Sequence, residues 1–224
     1  ANANTNGFKA ELVAFRALPV VADAPATPTR AFVVDSTIGH DRSQGPLVST
    51  GNDQDFALKG AGFFAVQAPD GQEAYTRDGG YVVDENGIMR TRSGRVILSD
   101  GGPITVPNNT RVAIAEDGTI STVPTEGGDR ASQILGQLKL VAEANRNDYY
   151  KGVDGLFRRN DGQEAPRDEN VRVTTGVVEG SNVNVVESLV QMIDHARHYD
   201  LNIKLMQTAD QNGKSATSIM SLAG

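Results

Sequence analysis

Residues 185–206 read VVESLVQMIDHARHYDLNIKLM, and seven of their apolar positions step alternately by four and three: Val185, Leu189, Met192, Ala196, Tyr199, Ile203 and Met206. This is a heptad repeat. An α-helix turns every 3.6 residues, so the spacing keeps one narrow stripe facing a partner helix. Val186, Val190, Ile193 and Leu205 widen the stripe on one flank, whereas Glu187, Asp194, Arg197, Asp200 and Lys204 lie outside it. At 1.5 Å per residue the seam runs roughly 32 Å, and burying it contributes on the order of 10 kcal/mol gross. Left in water, a lone helix of this length is marginal. Nothing else in the sequence matches it as a partner, so the seam reads as an assembly surface. The plainer alternative is an amphipathic helix packed on its own β domain.

The ends of the helix are marked locally. Asn184 followed by Glu187 is a capping-box pattern, with Ser181 and Asn182 offering a start one turn earlier. Gly213 is the expected stop, with Ile219, Met220 and Leu222 as an added final turn.

Working upstream, the period changes from helix to strand. Phe56 to Leu58, Phe63 to Val66, Tyr81 to Val83 and Ile88 to Arg90 are short apolar runs divided by turn dipeptides. Glu85-Asn86-Gly87 is the strongest hairpin signal. Val112 to Ile114, Thr119 to Ser121, Ile134 to Val141, Gly155 to Phe157 and Val171 to Val173 continue the series. The connections are too short for crossover helices, so an antiparallel meander is expected. Ahead of it Ala31 to Val34 is one plausible strand, and Pro19, Pro25 and Pro28 oppose regular structure over residues 19–29. The fold class is therefore mainly β, an antiparallel β domain with a long C-terminal helix of coiled-coil type. The expected division is 1–30, remnant of an N-terminal helical region and linker; 31–178, β core; and 179–224, heptad helix. The join is placed near Gly176 to Gly180.

Composition narrows the function classes. A net charge of −7 argues against nucleic acid or an anionic membrane surface as partner. The absence of cysteine excludes disulfides and thiolate metal sites. Of three histidines, His195 and His198 share one helix face, but no third ligand stands out and both are read as surface residues. Gly213-Lys214-Ser215 imitates the end of a phosphate loop, yet Thr208 occupies the position of its first glycine and the segment closes a helix. Asp70, Asp78, Asp100, Asp117, Asp154 and Asp161 are each accounted for by a turn. No catalytic constellation, cofactor or metal site, and no small-molecule substrate, is therefore expected.

Four stretches resemble one family. Thr5-Asn6-Gly7-Phe8-Lys9 is similar to the motif that follows the N-terminal helix in bacterial flagellar rod and hook proteins. Residues 56–66, with Gly60, Gly62, Phe63 and Phe64, resemble their first core-domain signature, and Ala74 to Gly79 the second. Gly180-Ser181-Asn182 and the residues to Glu187 resemble the start of their C-terminal helix. Residues 100–107, 136–141, 154–158 and 179–182 are most similar to the proximal-rod type. Distal-rod and hook-type subunits are the alternatives within the family.

The resemblance implies a structural subunit of the basal-body rod, located in the flagellar basal body and exported without a cleaved signal peptide. Its partners would be other rod subunits in heterologous axial packing. It further implies an N-terminal helix ahead of Thr5 that pairs with the helix after Asn184; the sequence begins inside that region, so the isolated protein is expected to associate weakly. Two other classes remain open: a secreted carbohydrate-active β protein using turn aspartates, and a regulatory dimer whose heptad pairs with itself.

Overall fold

The computed structural model describes residues 2–19, 31–125, 131–143, 145 and 148–222. They form two compact units, residues 1–183 and 184–224. The first is built of strands joined in antiparallel pairs, and the second is a helix.

The first unit opens with a two-stranded ribbon, β1 (Glu11–Pro19) against β2 (Ala31–His40). A bulge at Leu12/Val13 leaves Ile38 as the extra residue. Here the structure corrects the reading of residues 1–30 as a helical remnant and linker, because Glu11–Pro19 is a strand; residues 20–30 lie outside the described residues. The run Val13, Phe15 and Ala17 alternates with Leu12, Ala14 and Arg16, which suits a pleated ribbon.

The next strands are β3 (Leu47–Ser49), β4 (Phe56–Lys59), β5 (Phe63–Gln67), β6 (Glu73–Thr76), β7 (Tyr81–Val83), β8 (Met89–Thr91) and β9 (Val96–Ser99). After the short β10 (Gly102–Pro103) come β11 (Thr110–Ile114), β12 (Thr119–Pro124) and β13 (Gln133–Gln137), a three-stranded sheet in that order. The unit then adds β14 (Leu140–Val141), β15 (Tyr149–Lys151), β16 (Phe157–Arg159), β17 (Arg172–Thr175) and β18 (Val177–Glu179). The largest sheet runs β15-β16-β6-β5-β9-β8-β7, with β10 on β9 and β14 on β5.

Two expectations change in detail. Ile134 to Val141 is not one strand but β13 and β14, because its halves pair with different neighbours, β12 and β5. Nor is the unit a simple meander: β17 returns to β4 and β18 to β3, bringing the end of the unit back to its beginning. The hairpin at Glu85-Asn86-Gly87 is present, its turn closed by Asp84, whose Oδ1 accepts from Asn86 N at 3.0 Å and Ile88 N at 2.8 Å.

Strand β5 organises the interior. Its alternate residues face opposite ways, so Phe64 and Val66 join a larger core with Phe56, Leu58, Met89 and Ile120. Phe63 and Ala65 join a smaller one with Tyr75, Val141, Tyr149 and Phe157. A strand apolar on both faces reads as the unbroken run Phe63-Phe64-Ala65-Val66 rather than as an alternation.

Helix α1 spans Val185–Leu222. Asn184 supplies its half of the expected capping box, its Oδ1 accepting from Val186 N at 3.1 Å and Glu187 N at 3.2 Å, whereas the Glu187 carboxylate accepts from Gln191 Nε2 at 3.4 Å. Gly213 does not stop it. A glycine inside a helix costs about 1 kcal/mol relative to alanine, and an exposed Asp210–Lys214 ion pair at 2.6 Å bridges the weak turn. Residues 179–183, expected to belong with the helix, fall in the β unit.

Candidate functional site

The family-like motifs lie far apart in sequence, yet the fold gathers them around one carboxylate. Glu179, at the end of β18, is 1% exposed. Its Oε1 accepts from Lys9 Nζ at 2.7 Å and from Gly45 N at 3.0 Å. Its Oε2 accepts from Arg77 Nε at 2.8 Å and from the adjacent terminal nitrogen at 2.5 Å. The remaining donors of Arg77 reach the carbonyls of Gly62 and Gly60 at 2.8 and 2.9 Å, across the β4–β5 turn. Lys9 also donates to Ser43 O at 2.6 Å. Both cations are 2% exposed.

The backbone completes the clasp. Gly7 N donates to Glu179 O at 2.8 Å, and Gly180 N to Pro46 O at 2.8 Å. Ala10 N donates to Asn182 Oδ1 at 2.8 Å, while the amide nitrogen of Asn182 donates to the carbonyls of Asp41 and Ser43, each at 3.1 Å. Two glycines make the approach possible. A Cβ on Gly7 would sit 2.3 Å from the Arg77 carbonyl carbon, and one on Gly45 would sit 2.0 Å from Gly180 O.

Electrostatics make Glu179 the critical member. Two buried cations share one carboxylate, and burial pulls the Lys9 ammonium below its ordinary pKa against the opposing effect of the hydrogen bond it donates to Glu179. Removing the carboxylate strands both charges, whereas removing Lys9 leaves the Arg77–Glu179 pair intact.

A second buried pair anchors the base of the ribbon. His40 Nε2 lies 2.9 Å from Glu143 Oε1, and Arg42 Nε reaches the same oxygen at 3.0 Å. The His40 ring packs 4.6 Å from that of Phe157. Just ahead of β1, the Phe8 ring lies 3.6 Å under Nζ of Lys151 from β15, which also donates to Lys9 O at 3.1 Å. Beyond these anchors the ribbon is apolar and open: Val13, Leu18, Phe32 and Val33 are exposed, and Phe15 is 72% exposed.

The seam residues of α1 are also uncovered. Val185, Leu189, Met192, Ala196, Tyr199 and Met206 are exposed and Ile203 is half-buried. Val186, Val190, Ile193, Leu201 and Leu205 are exposed as well, so the apolar surface is broader than one stripe. Of the motif residues, Gly7, Lys9, Gly62, Phe63, Phe64 and Ser181 are buried, Phe8 and Asn182 half-buried, and Thr5 and Gly60 exposed. Sequence reasoning alone does not single out Glu179, Gly45, Ser43, His40 or Glu143. The local sign of Glu179 is a lone acidic residue after the apolar Val177-Val178, beside a glycine.

The turn aspartates divide. Asp70, Asp117, Asp154 and Asp161 each accept from the backbone N–H two residues on, as expected of turn residues. Asp78 differs, because burial raises its pKa to about 6 despite the nearby Arg92.

Two family descriptions match the sequence that folds in this way. Residues 57–122 match the flagellar hook protein FlgE/F/G D1 domain, and residues 174–219 match the flagellar basal body rod FlgEFG protein C-terminal region. Both describe subunits of the flagellar hook-and-rod class. Among relatives, the flagellar basal-body rod protein FlgF of Salmonella typhimurium is 39% identical over 229 residues, covering 100% of this chain and 90% of that protein. FlgF of Caulobacter vibrioides is 34% identical, covering 96% and 86% respectively. A rod protein FlgG, from Buchnera aphidicola subsp. Acyrthosiphon pisum, is 36% identical and covers 94% and 87%. The chain belongs to the flagellar basal-body rod protein family and is of the FlgF type.

Two measurements test the site. Glu179→Gln should lower unfolding stability by about 3–5 kcal/mol, and Lys9→Met by clearly less, since only the first leaves buried cations uncompensated; equal losses in urea titrations would contradict the assigned hierarchy. For Asp78 the folded pKa is raised, so between pH 4 and 6 the native state holds a proton that the unfolded state has released. Stability should therefore fall as pH rises through that window, by up to about 3 kcal/mol, and Asp78→Asn should flatten the fall. A wild-type-minus-variant difference that stays constant across the window would refute it.

Proposed function

We propose that this protein is a structural subunit of the bacterial flagellar basal-body rod, packing with other axial subunits into a helical tube that transmits torque. The observation that carries the reading is the exposed heptad seam, which begins six residues after the clasp residue Glu179. Helix α1 needs covering on more than one flank, which suits a bundle of helices better than a single partner. The β unit has its own two-sided core and supplies a second set of contacts through the ribbon. Such contacts are heterologous, so they propagate along an axis instead of closing a ring. Many modest interfaces acting together meet a mechanical role, and none of them asks for chemistry. The family assignment supports this over the carbohydrate-active alternative. We further read the protein as working in the basal body after export without a cleaved signal peptide.

The test is complementation of a bacterium lacking its own subunit of this type. The wild-type protein should restore motility, and the double variant Leu189→Asp, Ile203→Asp should not. Unfolding of the β unit should shift by less than about 0.5 kcal/mol, since both substitutions are on the separate helical unit. Motility with the double variant would overturn the role given to the seam. Purified wild-type protein should sediment as a monomer or a weak associate; a discrete two-fold dimer abolished by the same substitutions would favour self-pairing.

A further inference from the structure

Three Asn-Gly dipeptides occur in the sequence: Asn6-Gly7, Asn86-Gly87 and Asn212-Gly213. In each, the backbone nitrogen of the glycine is a potential nucleophile toward Cγ of the asparagine, and glycine presents no Cβ to obstruct it. The fold treats the three differently.

Gly7 is buried, its N–H donates to Glu179 O at 2.8 Å, and it lies against the Arg77–Asp78 backbone. Gly87 is also buried. Its N–H donates to Asp84 O at 2.9 Å and its carbonyl accepts from Val106 N at 2.7 Å, which fixes the peptide on both sides. Both glycine nitrogens are therefore committed to hydrogen bonds inside the β unit. Asn212 and Gly213, by contrast, are exposed, and beyond the helix's own backbone and the adjoining residues nothing lies within 4 Å of where a Gly213 Cβ would be. The Gly213 N–H is held by the turn of α1 alone, and that turn contains the poorest helix former apart from proline. A helix with an uncovered apolar face opens locally more readily than a packed core does.

We infer that Asn212 is a site of spontaneous deamidation in the unassembled protein, with Asn6 and Asn86 protected by the fold. In the step, the Gly213 nitrogen loses its proton and bonds to Asn212 Cγ, and the Cγ–Nδ2 bond breaks with release of ammonia. The resulting five-membered imide takes up one water, opening to aspartate or, through the other carbonyl, to isoaspartate. No oxidant or reductant is involved. Either product adds a negative charge. Isoaspartate also lengthens the backbone path by one atom, which breaks the helical hydrogen-bond ring at that turn. Gly213 falls one heptad after Met206, so on the rod reading the lesion interrupts the continuation of the assembly seam and marks subunits that have waited unassembled.

The experiment ages the purified protein at mildly alkaline pH, with and without strong urea, and measures aspartate plus isoaspartate at the three sites by peptide mass mapping. In the native protein Asn212 should convert at least about tenfold faster than Asn6 or Asn86, the ratio set by local against global opening. In urea the three rates should converge, and Gly213→Ala should suppress conversion at Asn212 while retaining helicity. Native conversion at Asn6 or Asn86 that keeps pace with Asn212, a native ranking that survives in urea, or no conversion at Asn212 would each overturn the inference. The readout involves no assembly, so its failure leaves the rod reading standing, and failure of the rod reading leaves this chemistry standing.

Discussion

One carboxylate with too many cations organises this molecule. Glu179 is buried between Lys9 and Arg77, and both of its oxygens are directed at donors whose own segments must be in place. An ion pair buried this deeply is not in itself a large net source of stability, because desolvation offsets most of the attraction. Its effect is on which arrangements are tolerable. Lys9 and Arg77 can be buried only where Glu179 arrives, so the second half of the strand order is committed to returning β17 to β4 and β18 to β3. The topology that looks like an irregular meander is the one that brings residue 179 back to residue 9.

The consequence is that the two ends of the β unit are held together at one side, and α1 begins at Val185, soon after Glu179. Outside the ribbon, the β unit satisfies itself: two cores share β5, and both buried cations of the clasp are bonded to Glu179. Ribbon and helix do not. Both leave large apolar side groups in water, which a monomeric role would not require. A self-sufficient body carrying two elements with uncovered apolar faces suits the axial assembly proposed above. The same division explains why covalent ageing is expected to concentrate in the helix.

Local physics is legible in the residues. The 4-3 spacing of Val185 to Met206 and the cap at Asn184 define the helix, and the turn at Asp84 to Ile88 defines a hairpin. A short-range signal weighed alone misleads: Gly213 carries the mark of a stop, although its cost of about 1 kcal/mol is small beside the cooperativity of a long helix. Strand β1 is hidden because its partner begins at Ala31, beyond a proline-rich stretch that dominates the local pattern. The clasp is hidden for a deeper reason. Lys9 and Glu179 are separated by 170 positions, and nothing in the spacing of either predicts the other. The resemblance points to the right neighbourhoods, Gly7 to Lys9 and Gly180 to Asn182, without identifying the charge that joins them.

The central claim is that the clasp belongs to the cooperative core and is not a peripheral tie. Native-state hydrogen exchange under increasing urea tests it directly, comparing the amides of Gly7, Ala10 and Gly180 with that of Ala65 in β5, which donates to Lys139 O at 3.0 Å. If the account is right, all four open with the same free energy and the same urea slope, through global unfolding. Fast, urea-independent exchange at Gly7, Ala10 and Gly180 beside a protected Ala65 would contradict it, and would reduce the Glu179 network to a local fastening on a fold that stands without it.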